Sequence, residues 1–204
     1  MKFELSLHGI KDLLEGFDQP TIRAGLARGL NKLGDQVRTA SRTSITKRYH
    51  IKAGRVNQDL TIPRSKRARA SQLSVTLRAK GKRIGLMQFG ARWDPRKAGA
   101  SAMIKRGQGR KIWPGTFIRA VHEIKGQEGM EHVFERKGQR RYPLRRVTGP
   151  SVPQLFGSEQ ASAERAHFIS RKYNSVVMHE LIFAIQQKSK RTMSRAQRIA
   201  SSPS

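Results

Sequence analysis

"PTIRAGLARGLNKLGDQVRTASRTSI", residues 20–45, places Ile22, Leu26, Leu30, Leu33 and Val37 three or four positions apart, and the pattern continues more weakly through Ala40 to Ile45. That spacing gathers the apolar side chains into one stripe and predicts a long amphipathic helix. Pro20 sits where a first-turn proline is tolerated, with Asp18 just ahead as the cap. Arg23, Arg28, Lys32, Arg38 and Arg42 fall on the opposite face. Gly25, Gly29 and Gly34 each weaken such a helix by roughly 1 kcal/mol relative to alanine, so close packing against a neighbour is the expected reason for them.

Upstream, "MKFELSL" alternates Phe3, Leu5 and Leu7 with polar residues, the period of a half-buried strand, and Gly9 ends it. Downstream, "IKAGRVNQDLTIP" predicts a short helical turn entering a strand, and "RSKRARAS" a cationic loop with no apolar anchor. "QLSVTLRA" and "RIGLMQF" both alternate, and the "KGK" between them predicts a hairpin. "SAMIKRGQGRKIWPGTFIRAV" reads as two short strands around a basic glycine turn, and "HVFERK" and "RYPLRRV" as two more strands separated by a Gly-Gln turn.

From Ser158, a fair N-cap, helical spacing resumes through Ile169, Tyr173, Val176, Val177, Leu181, Ala184 and Ile185. "LIFAI", residues 181–185, is apolar almost all round, which predicts contact with the chain's own sheet on one side and a neighbouring subunit on the other. The closing "RTMSRAQRIASSPS" has the composition of a frayed tail. The expected fold class is therefore α+β: a small antiparallel sheet with a long N-terminal amphipathic helix and a C-terminal helix. Residues 1–157 form the core with its basic loops, and 158–204 add the C-terminal helix and tail of the same domain.

"RRYPLRRVTGPSVPQLFG", residues 140–157, holds four arginines and three prolines. Proline cannot donate a ladder hydrogen bond, so this segment cannot be the middle of a sheet. Two readings stand: a strap that carries Leu155 and Phe156 to an anchoring pocket with the arginines left outside, or a simple strand-to-helix linker.

Forty-two Lys and Arg against fourteen Asp and Glu give the 204 residues a formal charge of +28. Such an excess repels itself in a compact state unless an anion lies nearby, and nucleic acid is the expected partner. Between Leu60 and His122 the only acid is Asp94, while sixteen cations run from Arg64 to Arg119, which makes the middle of the chain the electrostatic footprint. There is no cysteine, hence no disulfide framework or thiolate zinc site. No apolar run approaches membrane-spanning length, and the acids in "MKFELSLHGIKDLLEG" do not fit a signal peptide, so neither a membrane partner nor export by that route is expected.

The six histidines are scattered, without HExxH or similar spacing. On strands, the neighbours His122-Glu123 and Glu131-His132 point to opposite faces, so no metal site is expected. Glu123, Glu128, Glu131 and Glu135 read as surface carboxylates answering nearby cations rather than as magnesium ligands of a nuclease. Neither a phosphate-binding GxxxxGK[ST] loop nor a GxSxG nucleophile appears; no cofactor or catalytic residue is assigned. Arg64, Lys66, Arg67 and Arg69, then Lys105, Arg106, Arg110 and Lys111, and finally Arg140 and Arg141 are the candidates for sequence-blind DNA contact. Aromatics do not interleave with these clusters, which disfavours base stacking on single strands. Val152, Leu155, Phe156, Leu181, Ile182, Phe183 and Ile185 are the candidates for subunit interfaces.

"WPGTFIRAV" at 113–121, "HVFERKGQRRYPLRRVTGPSVPQLF" at 132–156 and "MQFGARW" at 87–93 resemble the minor tail protein Z family of lambda-type phages and prophages, also called tail completion proteins. By position, Trp113, Pro114, Gly115, Phe117, Phe134, Arg136, Gly138, Tyr142, Pro143, Gly149, Pro150, Pro153 and Phe156 match its signature, read as fold and interface determinants. The resemblance implies a non-enzymatic virion protein that completes the tail at its head-proximal end, made in the host cytoplasm. It also implies a place beside tail terminator and neck or connector proteins around the DNA channel. Beyond what the resemblance implies, several copies are expected to form a hexameric ring matching tail symmetry, with the basic loops near packaged double-stranded DNA. Composition alone equally supports a cellular nucleic-acid-binding protein of ribosomal type.

Overall fold

The computed structural model describes residues 2–6, 19–121 and 130–200, with side chains for 19–121 and 130–194. The expected Asp18 cap, the His122-Glu123 pair and Glu128 lie outside the described residues. In chain order come β1 (Lys2–Ser6), α1 (Gln19–Arg48), α2 (Ala53–Asp59), β2 (Leu60–Thr61), β3 (Ser74–Ala79), β4 (Arg92–Asp94), β5 (Gly99–Ala102) and β6 (Lys111–Pro114). They continue with β7 (Thr116–Val121), β8 (Met130–Arg136), β9 (Leu144–Arg146), α3 (Val152–Phe156) and α4 (Glu159–Ala200). The architecture is mixed α+β: a long N-terminal helix, small antiparallel sheets and a long C-terminal helix. The chain divides into two compact units, Met1–Ala40 with Thr61–Arg78 and Ala163–Ser204, and Ser41–Leu60 with Ala79–Ser162.

In the first unit the stripe read from the sequence is the core: Ile22, Leu26, Leu30, Leu33 and Val37 of α1 are each no more than 2% exposed. Val75 and Leu77 of β3 and Val177, Leu181 and Ala184 of α4 are buried with them. β1 pairs antiparallel with β3, Phe3 opposite Leu77 and Leu5 opposite Val75, in a sheet of order β1-β3-β2. The α1 glycines have the reason their spacing suggested. A Cβ on Gly25 would lie 2.9 Å from the Ala184 Cβ, and one on Gly29 would lie 2.9 Å from the Val177 Cα, so α4 approaches where α1 has no side chain. Gly34 makes the same allowance for Val75, 3.2 Å from its missing Cβ.

The second unit is built from two three-stranded antiparallel sheets, β4-β5-β6 and β7-β8-β9, with α2 packed against α3. The basic glycine turn does join two strands: Ser101 of β5 faces Ile112 of β6, and Gly107 and Gly109 make the turn at φ of 81° and 71°. "HVFERK" and "RYPLRRV" pair as β8 and β9, with Glu135 opposite Arg145.

The expected hairpin between "QLSVTLRA" and "RIGLMQF" does not form. Only the first run is a strand, while Leu86–Phe89 is a 3-10 turn. Leu86 and Phe89 are fully buried from one side of that turn, because residues three apart share a face at three residues per turn. The backbone of Ile84–Leu86 bonds instead to the proline segment: Gly149 N donates to Ile84 O at 2.8 Å and Leu86 N to Val147 O at 3.4 Å.

That segment is an edge strand, a short extended run and then α3. Ser151 caps α3 reciprocally: its Oγ accepts from Gln154 N at 3.4 Å, while its own N donates to Gln154 Oε1 at 2.9 Å. The turn sets Val152, Leu155 and Phe156 at i, i+3 and i+4, one face, where they are 0%, 4% and 0% exposed. These three interface candidates are core residues of their own unit, and a docked partner cannot reach them without unfolding the turn. The basic stretch expected to fray is helical through Ala200. Ser158 caps α4 as expected, accepting from Ala161 N at 3.4 Å.

Candidate functional site

The cationic loop at 64–69 is anchored after all. Ala68, 6% exposed, packs on Ala27 and Leu30 with Leu73 beside it. Asn31 on α1 clamps the loop backbone from both sides, its Nδ2 donating to Ala68 O and its Oδ1 accepting from Ala68 N, each at 2.9 Å. Arg67 forks onto Asp35 with two bonds of 3.0 and 2.9 Å, the bidentate geometry that fixes a guanidinium in place. Arg64, Lys66 and Arg69 remain exposed. Three of the four candidates in this loop thus project, and Arg67 serves to seat them. Nothing local marks Asn31 as the clamp, because its partner is 37 residues away.

In the second unit the β5–β6 hairpin is tied at its base. Arg110 donates from Nη2 to Gly90 O and Ser101 O, both at 2.7 Å, and from Nε to Ser101 Oγ at 3.2 Å. Arg106 donates from its backbone N to Arg48 O at 2.7 Å and from Nε to Thr46 O at 3.0 Å, next to the Tyr49–Lys105 bridge. Those two arginines position the loop as well as charging it. Lys105 is exposed, and the Lys111 ammonium lies 5.6 Å from the Trp113 ring centroid.

Arg140 and Arg141 are exposed in the β8–β9 connection, with Arg141 5.8 Å from the ring centroid of Tyr142. A hydrogen bond from Arg119, together with the charges of Arg119 and Arg141, holds the exposed Tyr142 phenol below its ordinary range. Such a shift on an exposed group reports how densely positive its surroundings are.

The α4 candidates split by face. Leu181 is 5% exposed against the Gly25 gap, whereas Ile182 is 50% and Phe183 44% exposed, with Ile185 half-buried and Met178 exposed nearby. The Arg28 guanidinium stands 6.0 Å from the Phe183 ring centroid. Close by, Lys32 Nζ donates to Glu180 Oε1 at 2.7 Å. That hydrogen bond, aided by the charges of Lys32, His179 and Arg28, pulls the Glu180 carboxyl below its ordinary value against some desolvation.

A carboxyl depressed in the folded state stabilises above its unfolded pKa, and the contribution is lost as pH falls through the folded one. With Lys32 about half exposed, its magnitude is that of a surface pair, about 0.2–1 kcal/mol. Lys32→Met is expected to melt lower than the parent at neutral pH and level with it in acid, and thermal melts across that range check the convergence.

Among the described residues no group of three or more His, Asp or Glu is placed to hold a metal ion, and no helix is long and apolar enough to cross a membrane. What this surface offers is contact, through exposed cations and exposed apolar side chains, and these are the means of a structural component within an assembly. The chain belongs to the prophage minor tail protein Z family, whose model matches residues 8–195. It is a phage minor tail protein, which marks it as a component of the virion. No curated protein and no solved structure gives a significant match.

Proposed function

We propose that this minor tail protein completes the tail at its head-proximal end, as one of several copies closed into a ring around the DNA path. Six copies would match the symmetry expected of a tail. The observation that carries the reading is the family match over residues 8–195, and the +28 charge supports it, because a ring so basic needs packaged DNA or acidic neighbours to offset its self-repulsion. Arg64, Lys66 and Arg69 with Lys105 and Lys111 supply sequence-blind contact, and Arg140 and Arg141 add to it. The tail terminator and the neck or connector proteins are the neighbours at that end. Electron micrographs of particles made without this chain test the placement: tails that form yet fail to join heads are expected, and normal tailed particles would refute it.

The exposed Ile182 and Phe183 face of α4 supplies the contact between copies, since its opposite face is already spent on α1. A double Ile182→Glu and Phe183→Glu change is expected to leave the monomer's melting within about 0.5 kcal/mol, as for exposed sites, while removing about 2 kcal/mol or more from each contact. Sedimentation of the purified chain, and its recovery with tails, read the second effect. Full assembly by the double variant would place the contact elsewhere.

A further inference from the structure

The second unit holds two adjoining clefts that share Met87 and Gln88 of the 3-10 turn as a common wall. One, of about 490 Å³, is lined by His50, Lys52 and Arg106. The other, of about 420 Å³, is lined by Arg55, Arg83 and Arg146, with Glu131 as the one acid among the described residues. Arg55 is engaged by Asp59 at 2.9 Å, whereas Lys52, Arg83, Arg106 and Arg146 are exposed and form no ion pair among the described residues. Of these four, Lys52 lies outside the basic stretches read from the sequence, whereas Arg83 and Arg106 fall within 64–119 and Arg146 within 140–157.

Two glycines keep the clefts in shape. A Cβ on Gly85 would come within 2.5 Å of Arg146 Nη2, and one on Gly90, at φ of 66°, would lie 2.9 Å from His50 Cε1. His50 Nδ1 is buried with no hydrogen-bond partner among the described residues. Among the described residues the lining thus has cations on both sides of an apolar and amide wall, and no Phe, Tyr or Trp on which a base would stack. A lining of charge without a stacking platform suits a run of phosphodiesters better than nucleobases.

We propose that the paired clefts seat the phosphodiester backbone of duplex DNA, with Lys52 and Arg106 on one side of the Met87–Gln88 wall and Arg83 and Arg146 on the other. The assignment rests on the DNA-proximal reading above and moves the main contact from the 64–69 loop to this face.

Fluorescence anisotropy of a labelled DNA duplex, titrated with the full chain over a series of salt concentrations, tests it. Three chains are compared: the parent, a Lys52→Gln, Arg83→Gln, Arg146→Gln triple, and an Arg64→Gln, Lys66→Gln, Arg69→Gln triple. Each phosphate contact contributes about 0.9 to the log–log salt slope, so the cleft triple is expected to lose about 2.7 and the loop triple less than about 1. A charge-keeping Lys52→Arg, Arg83→Lys, Arg146→Lys chain should retain the parent slope, which separates lost charge from lost structure. An unchanged slope in the cleft triple with a fall in the loop triple overturns the proposal and leaves the DNA reading intact. A parent chain that does not bind duplex sinks both. Competition by inorganic phosphate at constant ionic strength would make the clefts a small-anion site and would equally overturn the duplex assignment.

Discussion

Phe89→Ala is expected to cost about 3–5 kcal/mol, the range for removing a fully enclosed phenyl ring. The ring is 0% exposed, and the approach of its neighbours can be read from Gly149, where a Cβ would lie 2.7 Å from Phe89 Cε2 and 3.1 Å from Cδ2. A backbone that close cannot follow the vanished ring inward without breaking the Gly149 N to Ile84 O bond, so a cavity remains. Phe89 also ends the 3-10 turn that walls both clefts, and its carbonyl accepts from Met103 N at 3.3 Å beside the basic hairpin. Loss of stability and weakened duplex binding should therefore appear together. Urea denaturation measures the first from the midpoint at constant slope, and a cost below about 1 kcal/mol would show that the site collapses freely.

Gly29→Leu is the second large effect, and its sign follows from two opposed terms. Any side chain at a mid-helix glycine gains up to about 1 kcal/mol in propensity. Against this, the first carbon added at Gly29 would sit 2.9 Å from Val177 Cα and 3.3 Å from Val177 O, which are backbone atoms that cannot rotate away. Overpacking of this kind costs about 1–3 kcal/mol for small insertions and more as volume is added. Alanine at position 29 should thus be a net loss of about 1 kcal/mol, and leucine should separate α1 from α4 at a cost above about 3 kcal/mol. Gly54 on α2 is the control: nothing lies within 4 Å of its missing Cβ, so Gly54→Ala should be neutral or stabilise by up to about 1 kcal/mol. Equal responses at the two positions would show that α4 is not held where the glycines admit it.

The contrast also shows which parts of the fold were legible in the residues. A 3.6-residue period in Ile22, Leu26, Leu30, Leu33 and Val37 belongs to the local chain, and so does the alternation that became β3, β8 and β9. The same alternation misled at "RIGLMQF": Ile84 and Leu86 are two apart, as on one face of a strand, but Leu86 and Phe89 are three apart and share a face only in the 3-10 turn, and this stretch bonds to the distant backbone at 147–149. The DNA-contact candidates divide for a similar reason. Composition marked Arg64, Arg67, Arg106 and Arg110 alike, but Asp35, Thr46, Ser101 and Gly90 reach three of them from other elements and give them positional tasks.

Sequence by itself determined the mixed α+β class, the long helix with its glycine-marked face, the basic hairpin, the family and the excess of positive charge, because each is written in short-range spacing or in totals. Tertiary structure alone decided that Val152, Leu155 and Phe156 turn inward, that Ala68 and Asn31 pin the cationic loop, and that Lys52, Arg83 and Arg146 gather around one turn. Those outcomes depend on which residues far apart in the chain come to share a face, and such a choice is made by burial and backbone pairing over the whole unit.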